Sequence, residues 1–326
     1  MPQHFRPQFS AILFDIDNVL VDTRRSYLAA IQKTVERYLN RPNIISAKEV
    51  DRFKLLGGFN DDWDCCYAII TFLETSIQGK PIRFGDHRRQ RLSISELTEQ
   101  FPERPLGVEG LMKRLRVLYE RLELPSYEKI AGIFQELYLG KKGNGTGGLI
   151  QKEKPIFPKL ILEKIHRQGI RFGIVTGRNR FEAEYALKRF GIFKLFDSIV
   201  TIDEVKREEK KTGESRRKPH PWPLVQAAKQ LTANVPRITY HEKIRGSLAV
   251  GRGTFLYVGD LPDDILTAER AKKLINVKSA AFWKFTQDPE TTVKELKRVK
   301  PDFWIGEPRD LLKIVTPYSL APAKRR

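Results

Sequence analysis

The sequence predicts an α/β protein: a doubly wound, Rossmann-like parallel sheet with an all-helical domain inserted after its first strand. Three observations carry this. Apolar runs such as GIRFGIV (169–175) and TFLYVG (254–259) alternate with helical patterns in the C-terminal half, as in a parallel sheet covered on both faces. The interval 23–152 has helical periodicity and no convincing strand. Three apolar runs, at 11–14, 169–175 and 254–259, end directly in polar residues, at the edge where open parallel sheets bind ligands.

The first strand, AILF (11–14), is followed by Asp15 and Asp17. Alternate side chains of an extended chain share a face, so both carboxylates point the same way. Like charges held that close repel, so either a cation sits between them or one keeps a proton. Helical patterns then follow at 27–39, 93–101, 108–122 and 127–139. The glycine-rich KKGNGTGGLI (141–150) reads as a flexible hinge back to the core. The resulting parse is an α/β core of residues 1–22 and 153–326, with an inserted helical domain of residues 23–152. Its two linkers permit hinged closure.

Further strands are expected at 169–177, 196–202, 254–260, 279–285 and 301–306, with helices at 159–168, 180–190, 221–231 and 263–274. EVKREEKKTGESRRK (204–218) reads as a charged, mobile loop, and 232–253 shows no clear pattern.

Composition narrows the function classes. The 326-residue chain is 40% hydrophobic, a value typical of folded proteins, and no apolar run approaches a membrane span. The opening MPQHFRPQF has no apolar signal core, and Cys65 and Cys66 are adjacent. Together these predict a reduced, cytoplasmic protein. The net charge is +19, from 59 Lys+Arg against 40 Asp+Glu. Basic runs such as HRRQR (87–91) and KELKRVK (294–300) are not interleaved with aromatics, and several basic runs are mixed with Glu. That favours basic faces steering small anions over a nucleic-acid partner.

If the first strand lies between those at 169–177 and 254–260, then Asp15, Asp17, Thr176 and Asp260 converge on one crevice. Asp15, Asp260 and Asp264 offer hard oxygen ligands suited to magnesium. None of the five histidines has zinc-ligand spacing. Magnesium would bring a phosphate. Thr176 and the N–H groups beside it, Gly177 included, would hold its oxygens. Lys218 would supply the charge an anionic nucleophile needs on approaching it.

DIDNVLVDT (15–23), VTGR (175–178), KPHPWPL (218–224) and GDLPDDI (259–265) resemble, in order, the four motifs of the haloacid dehalogenase superfamily of phosphotransferases. The resemblance implies that Asp15 is a nucleophile forming an aspartyl-phosphate and Asp17 the general acid and base. It implies magnesium held by Asp15, the backbone carbonyl of Asp17, Asp260 and Asp264, with Thr176 and Lys218 on the phosphoryl oxygens. Dehalogenases of the superfamily lack an acid at the position of Asp17, so phosphate chemistry is favoured. Asn18 stands where many relatives carry glycine. Asparagine tolerates unusual backbone angles. Asp263 reads as a first-turn acid rather than a ligand.

The insertion resembles the helical cap of the subfamily containing phosphoglycolate phosphatase and beta-phosphoglucomutase. Within it FKLLGGFNDDWD (53–64) resembles a motif of an uncharacterised branch. Lys54, Gly57, Gly58, Asn60, Asp62 and Trp63 are therefore specificity candidates, against a plain turn with Asn60 or Asp61 as a helix cap and Trp63 in the core. Arg24 and Lys54 would meet a second anionic group or be surface charges. The expected function is a magnesium-dependent phosphatase acting on a small phosphorylated metabolite. The alternatives are a phosphomutase of the beta-phosphoglucomutase type and a basic polyanion-binding protein with phosphatase activity.

Overall fold

A computed structural model describes residues 8–59, 61–78, 93–94, 96–97, 107–233 and 253–316. Its strands are β1 (Ala11–Phe14), β2 (Val21–Asp22), β3 (Lys154–Pro155), β4 (Arg171–Val175), β5 (Phe196–Val200), β6 (Phe255–Gly259), β7 (Val277–Phe282) and β8 (Phe303–Ile305). The main sheet runs β5-β4-β1-β6-β7-β8, and every neighbouring pair is parallel. β1 therefore lies between β4 and β6, with Ala11 opposite both Arg171 and Phe255.

Strand alternation explains the two covered faces. Ile12, Phe14, Phe172, Ile174, Leu256 and Val258 pack into one core with residues of the helices Lys159–His166, Arg180–Arg189 and Pro308–Val315. Ala11, Leu13, Val175, Phe255 and Tyr257 pack into another with the helices Trp222–Ala233 and Pro262–Ala271. Neither face is left to water, so the strands read as continuous apolar runs. A side chain at Gly173 would collide with Leu13, its Cβ lying 2.6 Å from Leu13 Cδ2.

The insertion folds as the helices Tyr27–Leu39, Ala47–Lys54, Asp62–Gln78, Gly107–Leu118 and Tyr127–Leu139, around an apolar core of its own running from Tyr27 to Ile150. The patterns at 27–39 and 127–139 become helices over the expected residues, while most of 93–101 lies outside the described residues. Ser46 and Glu49 form a reciprocal capping box that starts the second of these helices. Among the described residues of 23–152 there is no strand, and none of the described helices is long and apolar enough to cross a membrane. The chain leaves and re-enters the sheet side by side, because β2 pairs antiparallel with β3 and the Ile156 N–H donates to Leu20 O at 2.9 Å.

Two expectations need correction. The glycine-rich stretch 141–150 is a tightly crossed turn rather than a loose hinge. A Cβ on Gly148 would sit 2.2 Å from Tyr138 O, and the Gly145 N–H donates to Leu139 O at 2.9 Å. Gly148 is there for close backbone approach, while Gly143, Gly145 and Gly147 supply φ of 65°, 88° and 76°. The charged stretch from 204 begins inside a helix, Ile202–Thr212, started by a Thr201–Glu204 capping box and ended by Gly213 at φ 71°. Its apolar stripe is only Ile202 and Val205, too narrow to stand out among charges. Most of 232–253 lies outside the described residues.

Candidate active site

Asp15, Thr176 and Asp260 follow directly on β1, β4 and β6, so the strand order brings them together at one edge of the sheet. All three are buried. Lys218 reaches in from its loop, with Nζ 3.1 Å from Asp15 Oδ1 and 2.8 Å from Asp264 Oδ1. The Tyr257 hydroxyl donates to the same Asp264 oxygen at 2.8 Å, and the Leu261 N–H donates to Asp264 Oδ2 at 3.1 Å. Asn18 has φ 52°, the left-handed conformation its residue type tolerates, and its amide donates to Asp260 Oδ2 at 3.2 Å. Gly177 follows Thr176, whose hydroxyl accepts from the Arg178 N–H at 3.2 Å.

Burial pushes Asp15 up to about 7; Asp264 and Asp17 add to this, while Lys218 opposes it. Burial, then Asp264 and Asp15, hold Asp260 well above the usual carboxylate range. Burial works against the Lys218 ammonium, but Asp15 and Asp264 outweigh it and keep its pKa well above normal. Carboxylate oxygens of Asp15, Asp260 and Asp264 lie within 4.8 Å of one another. Three buried carboxylates thus face one ammonium, a deficit of positive charge that a divalent cation fits. The all-oxygen donor set suits magnesium.

Asp17 stands beside this group, its side chain 26% exposed. Arg178 holds it, with Nε and Nη2 donating to Asp17 Oδ1 at 3.1 and 2.8 Å. The same guanidinium donates to both oxygens of Glu153 and to the Glu182 carbonyl. Glu153 also accepts from the Ser26 and Tyr138 hydroxyls, and the Tyr27 hydroxyl donates to Glu182 at 2.6 Å. Burial pushes Glu182 up to about 7, against its bond from Tyr27 and the Arg178 charge. Sequence reasoning quoted Arg178 but gave it no role. Glu153, Glu182, Tyr27 and Tyr138 carry no local signal, since what marks them is burial of a polar group.

The insertion covers the site. Lys54 Nζ donates to Asp62 Oδ1 at 2.6 Å, and Asp62 is pushed up to about 6 by burial, with Lys54 opposing and Asp17 adding. Gly57 and Gly58 turn the chain at φ 77° and 75°, and the Gly58 N–H donates to Asp263 Oδ2 at 2.7 Å. Asp263 is thus a first-turn acid, as expected, that also meets the loop above it. Trp63 lies beneath Lys206, whose Nζ is 5.5 Å from its ring centroid. Asn60 lies outside the described residues. Arg24 pairs with Asp22 at 2.7 Å and Lys54 with Asp62, so both candidate anion contacts are already engaged. Cys65 and Cys66 are buried free thiols whose pKa burial raises. Between insertion and core a cavity of about 60 Å³ is lined by Asp17, Asp61, Asp62, Trp63, Arg178 and Glu182, among others.

A family model described as haloacid dehalogenase-like hydrolase matches residues 9–272. The pyrophosphatase PpaX of Oceanobacillus iheyensis is 30% identical over 154 residues, 47% of this chain and 56% of that protein. An imidazoleglycerol-phosphate dehydratase of Phytophthora nicotianae is 24% identical over 321 residues, 96% of this chain and 54% of that protein. The chain spans about half the length of these curated relatives. A phosphatase from Thermococcus thioreducens superposes with a TM-score of 0.54 at 24% identity, covering 88% of this chain and 98% of that one. A predicted phosphoglycolate phosphatase from Haemophilus somnus gives 0.52 at 17% identity, covering 94% and 98%. At these identities the solved structures share the fold.

Proposed function

Because the chain belongs to the haloacid dehalogenase-like hydrolase family, we propose that it is a magnesium-dependent phosphatase hydrolysing a small phosphorylated metabolite through an aspartyl-phosphate. One observation carries the reading: a buried Asp15 shares Lys218 with Asp264 and has Asp260 beside it. When bound, magnesium supplies charge neutralisation for the transferring phosphoryl group. Asp15, the Asp17 backbone carbonyl, Asp260 and Asp264 would hold it.

The Asp15 carboxylate attacks phosphorus as the ester P–O bond breaks, and protonated Asp17 gives its proton to the leaving oxygen. Asp17 then takes a proton from water, whose oxygen attacks the phosphorus of the acyl phosphate. Phosphate leaves and Asp15 is regenerated. Lys218, Thr176 and the Gly177 N–H hold the phosphoryl oxygens, and Arg178 keeps Asp17 aimed. Residues 23–152 act as a cap that excludes water and selects the leaving group. The basic surface steers the anionic substrate. Two free, buried cysteines suit a reducing, cytoplasmic setting.

A second reading comes from the pyrophosphatase name of the Oceanobacillus relative: the same residues would cleave a phosphoric anhydride. Both are tested by phosphate release from phosphorylated sugars, small acids, nucleotides and pyrophosphate, with and without magnesium. Turnover should require the metal and vanish in Asp15→Asn. Release that survives Asp15→Asn would remove Asp15 as nucleophile. Transfer to a second hydroxyl without release would make the protein a mutase.

A further inference from the structure

Resting on the phosphatase reading, we propose that the leaving group carries a positive charge, so that the substrate class is the phosphomonoester of a small amino alcohol. The cavity beside Asp17 is where a leaving group must lie if Asp17 protonates it. Four carboxylates line that cavity: Asp17 and Glu182 from the core, Asp61 and Asp62 from the cap. Around them stand two more, Glu153 behind Arg178 and Asp64 beside Arg217. Four cations answer these six: Arg178, Arg217, Lys54 and Lys206. With Asp17 holding the proton it donates, five acidic groups still face four cations, and an incoming cation would favour the ionised form of Glu182, which burial otherwise pushes up to about 7.

The three ion-paired cations already face carboxylates. All five N–H groups of Arg178 are committed, to Asp17, Glu153 and the Glu182 carbonyl. Lys54 is bound to Asp62, and Arg217 to Asp61 and Asp64. Lys206 lies over the Trp63 ring. A leaving carboxylate or second phosphate would therefore have to compete with these carboxylates for Lys54, Arg217 and Lys206 in a lining richer in acids than in cations, an expensive desolvation.

An ammonium finds the opposite. Asp17 raises the pKa of Asp62, and Asp62 that of Glu182, so the carboxylates repel one another and a cation among them relieves that repulsion. The rings of Trp63, Tyr27 and Phe134 complete the lining, with Lys206 over Trp63 and Arg178 over Tyr27. The site is then bipolar. Lys218 and the metal hold the phosphoryl end, and the acidic cavity holds the amine end.

The test compares kcat/KM, with magnesium, for phosphoethanolamine, phosphoglycolate, pyrophosphate and the neutral reference phenyl phosphate. Phosphoethanolamine should exceed phosphoglycolate and pyrophosphate at least tenfold. In Asp62→Asn, which leaves Lys54 uncompensated, the ratio of phosphoethanolamine to phenyl phosphate should fall about tenfold. A merely structural effect would lower both alike. Equal or better turnover of phosphoglycolate or pyrophosphate overturns the proposal while leaving the phosphatase reading intact. Absence of all turnover sinks the phosphatase reading instead. Calorimetry on Asp15→Asn then decides the charge preference: tenfold tighter binding of phosphoethanolamine than of phosphoglycolate supports it, and equal binding ends it.

Discussion

Glu182 shows how much a single buried group adds. Its carboxyl is 5% exposed, accepts from Tyr27 and is pushed by burial up to about 7 from an ordinary 4.5. Between those pH values the folded chain keeps a proton that the unfolded chain has lost, so stability falls as pH rises through the window. Its contribution is complete below about 4.5 and gone above about 7. The loss amounts to roughly 3–4 kcal/mol at 1.36 kcal/mol per unit. Urea unfolding at pH 5 and pH 8 should show it, and Glu182→Gln, which keeps an acceptor for Tyr27, should flatten the slope. An unchanged slope would mean that Glu182 is ionised in the folded protein. At this scale Asp15, Asp17, Thr176, Lys218, Asp260 and Asp264 were legible because each follows a strand or a turn with its own local pattern. Arg178 was half legible, quoted within VTGR without a role.

At the scale of elements, the turn from β6 into the helix Pro262–Ala271 carries the site's tightest constraint. A Cβ on Gly259 would sit 2.2 Å from Asp264 Cβ and 2.6 Å from its Oδ2. Gly259→Ala therefore has to push Asp264 off both Lys218 and Tyr257. The expected result is at least a tenfold loss of phosphate release, with weakened magnesium affinity and a stability loss of about 1–3 kcal/mol from overpacking. Wild-type magnesium binding by calorimetry in this variant would show that Asp264 does not need its present place. Elements also set the limit of sequence reading. The Tyr27–Leu39 and Tyr127–Leu139 helices have broad apolar faces and were predicted over their observed residues. Ile202–Thr212 buries only Ile202 and Val205, and its capping box was the signal that went unread.

Over the whole molecule, the cap meets the core through polar contacts. Asp51 is buried and accepts from the Gln287 and Asp288 N–H groups at 2.9 and 3.3 Å. Arg52 and Lys48 meet Asp288, Arg217 meets Asp61 and Asp64, and Gly58 meets Asp263. Contacts of this kind are easier to exchange for water than an apolar seam, which suits the opening proposed for the cap. Asp51→Ala leaves two backbone donors without their acceptor, a cost of roughly 1–3 kcal/mol each where burial persists. Hydrogen exchange at residues 287 and 288 should accelerate more than tenfold, and KM should change more than the global unfolding midpoint. Unchanged exchange there would show that Asp51 does not fasten the cap.

The order of the main-sheet strands, the inserted helical segment and the four motifs were legible along the chain, because alternation, periodicity and strand-end residues are short-range properties. The helices Ala47–Lys54, Asp62–Gln78, Pro289–Val299 and Pro308–Val315 were not among those expected. What faces what was decided by the fold alone. The placing of β1 between β4 and β6 gathers carboxylates distant in sequence. The docking of the insertion converts Asp61, Asp62 and Trp63 from a loop motif into one wall of a cavity. Burial decides the rest. A carboxylate's charge state, and an arginine's spare donors, depend on neighbours hundreds of residues away and on how much water is excluded. No local pattern records either.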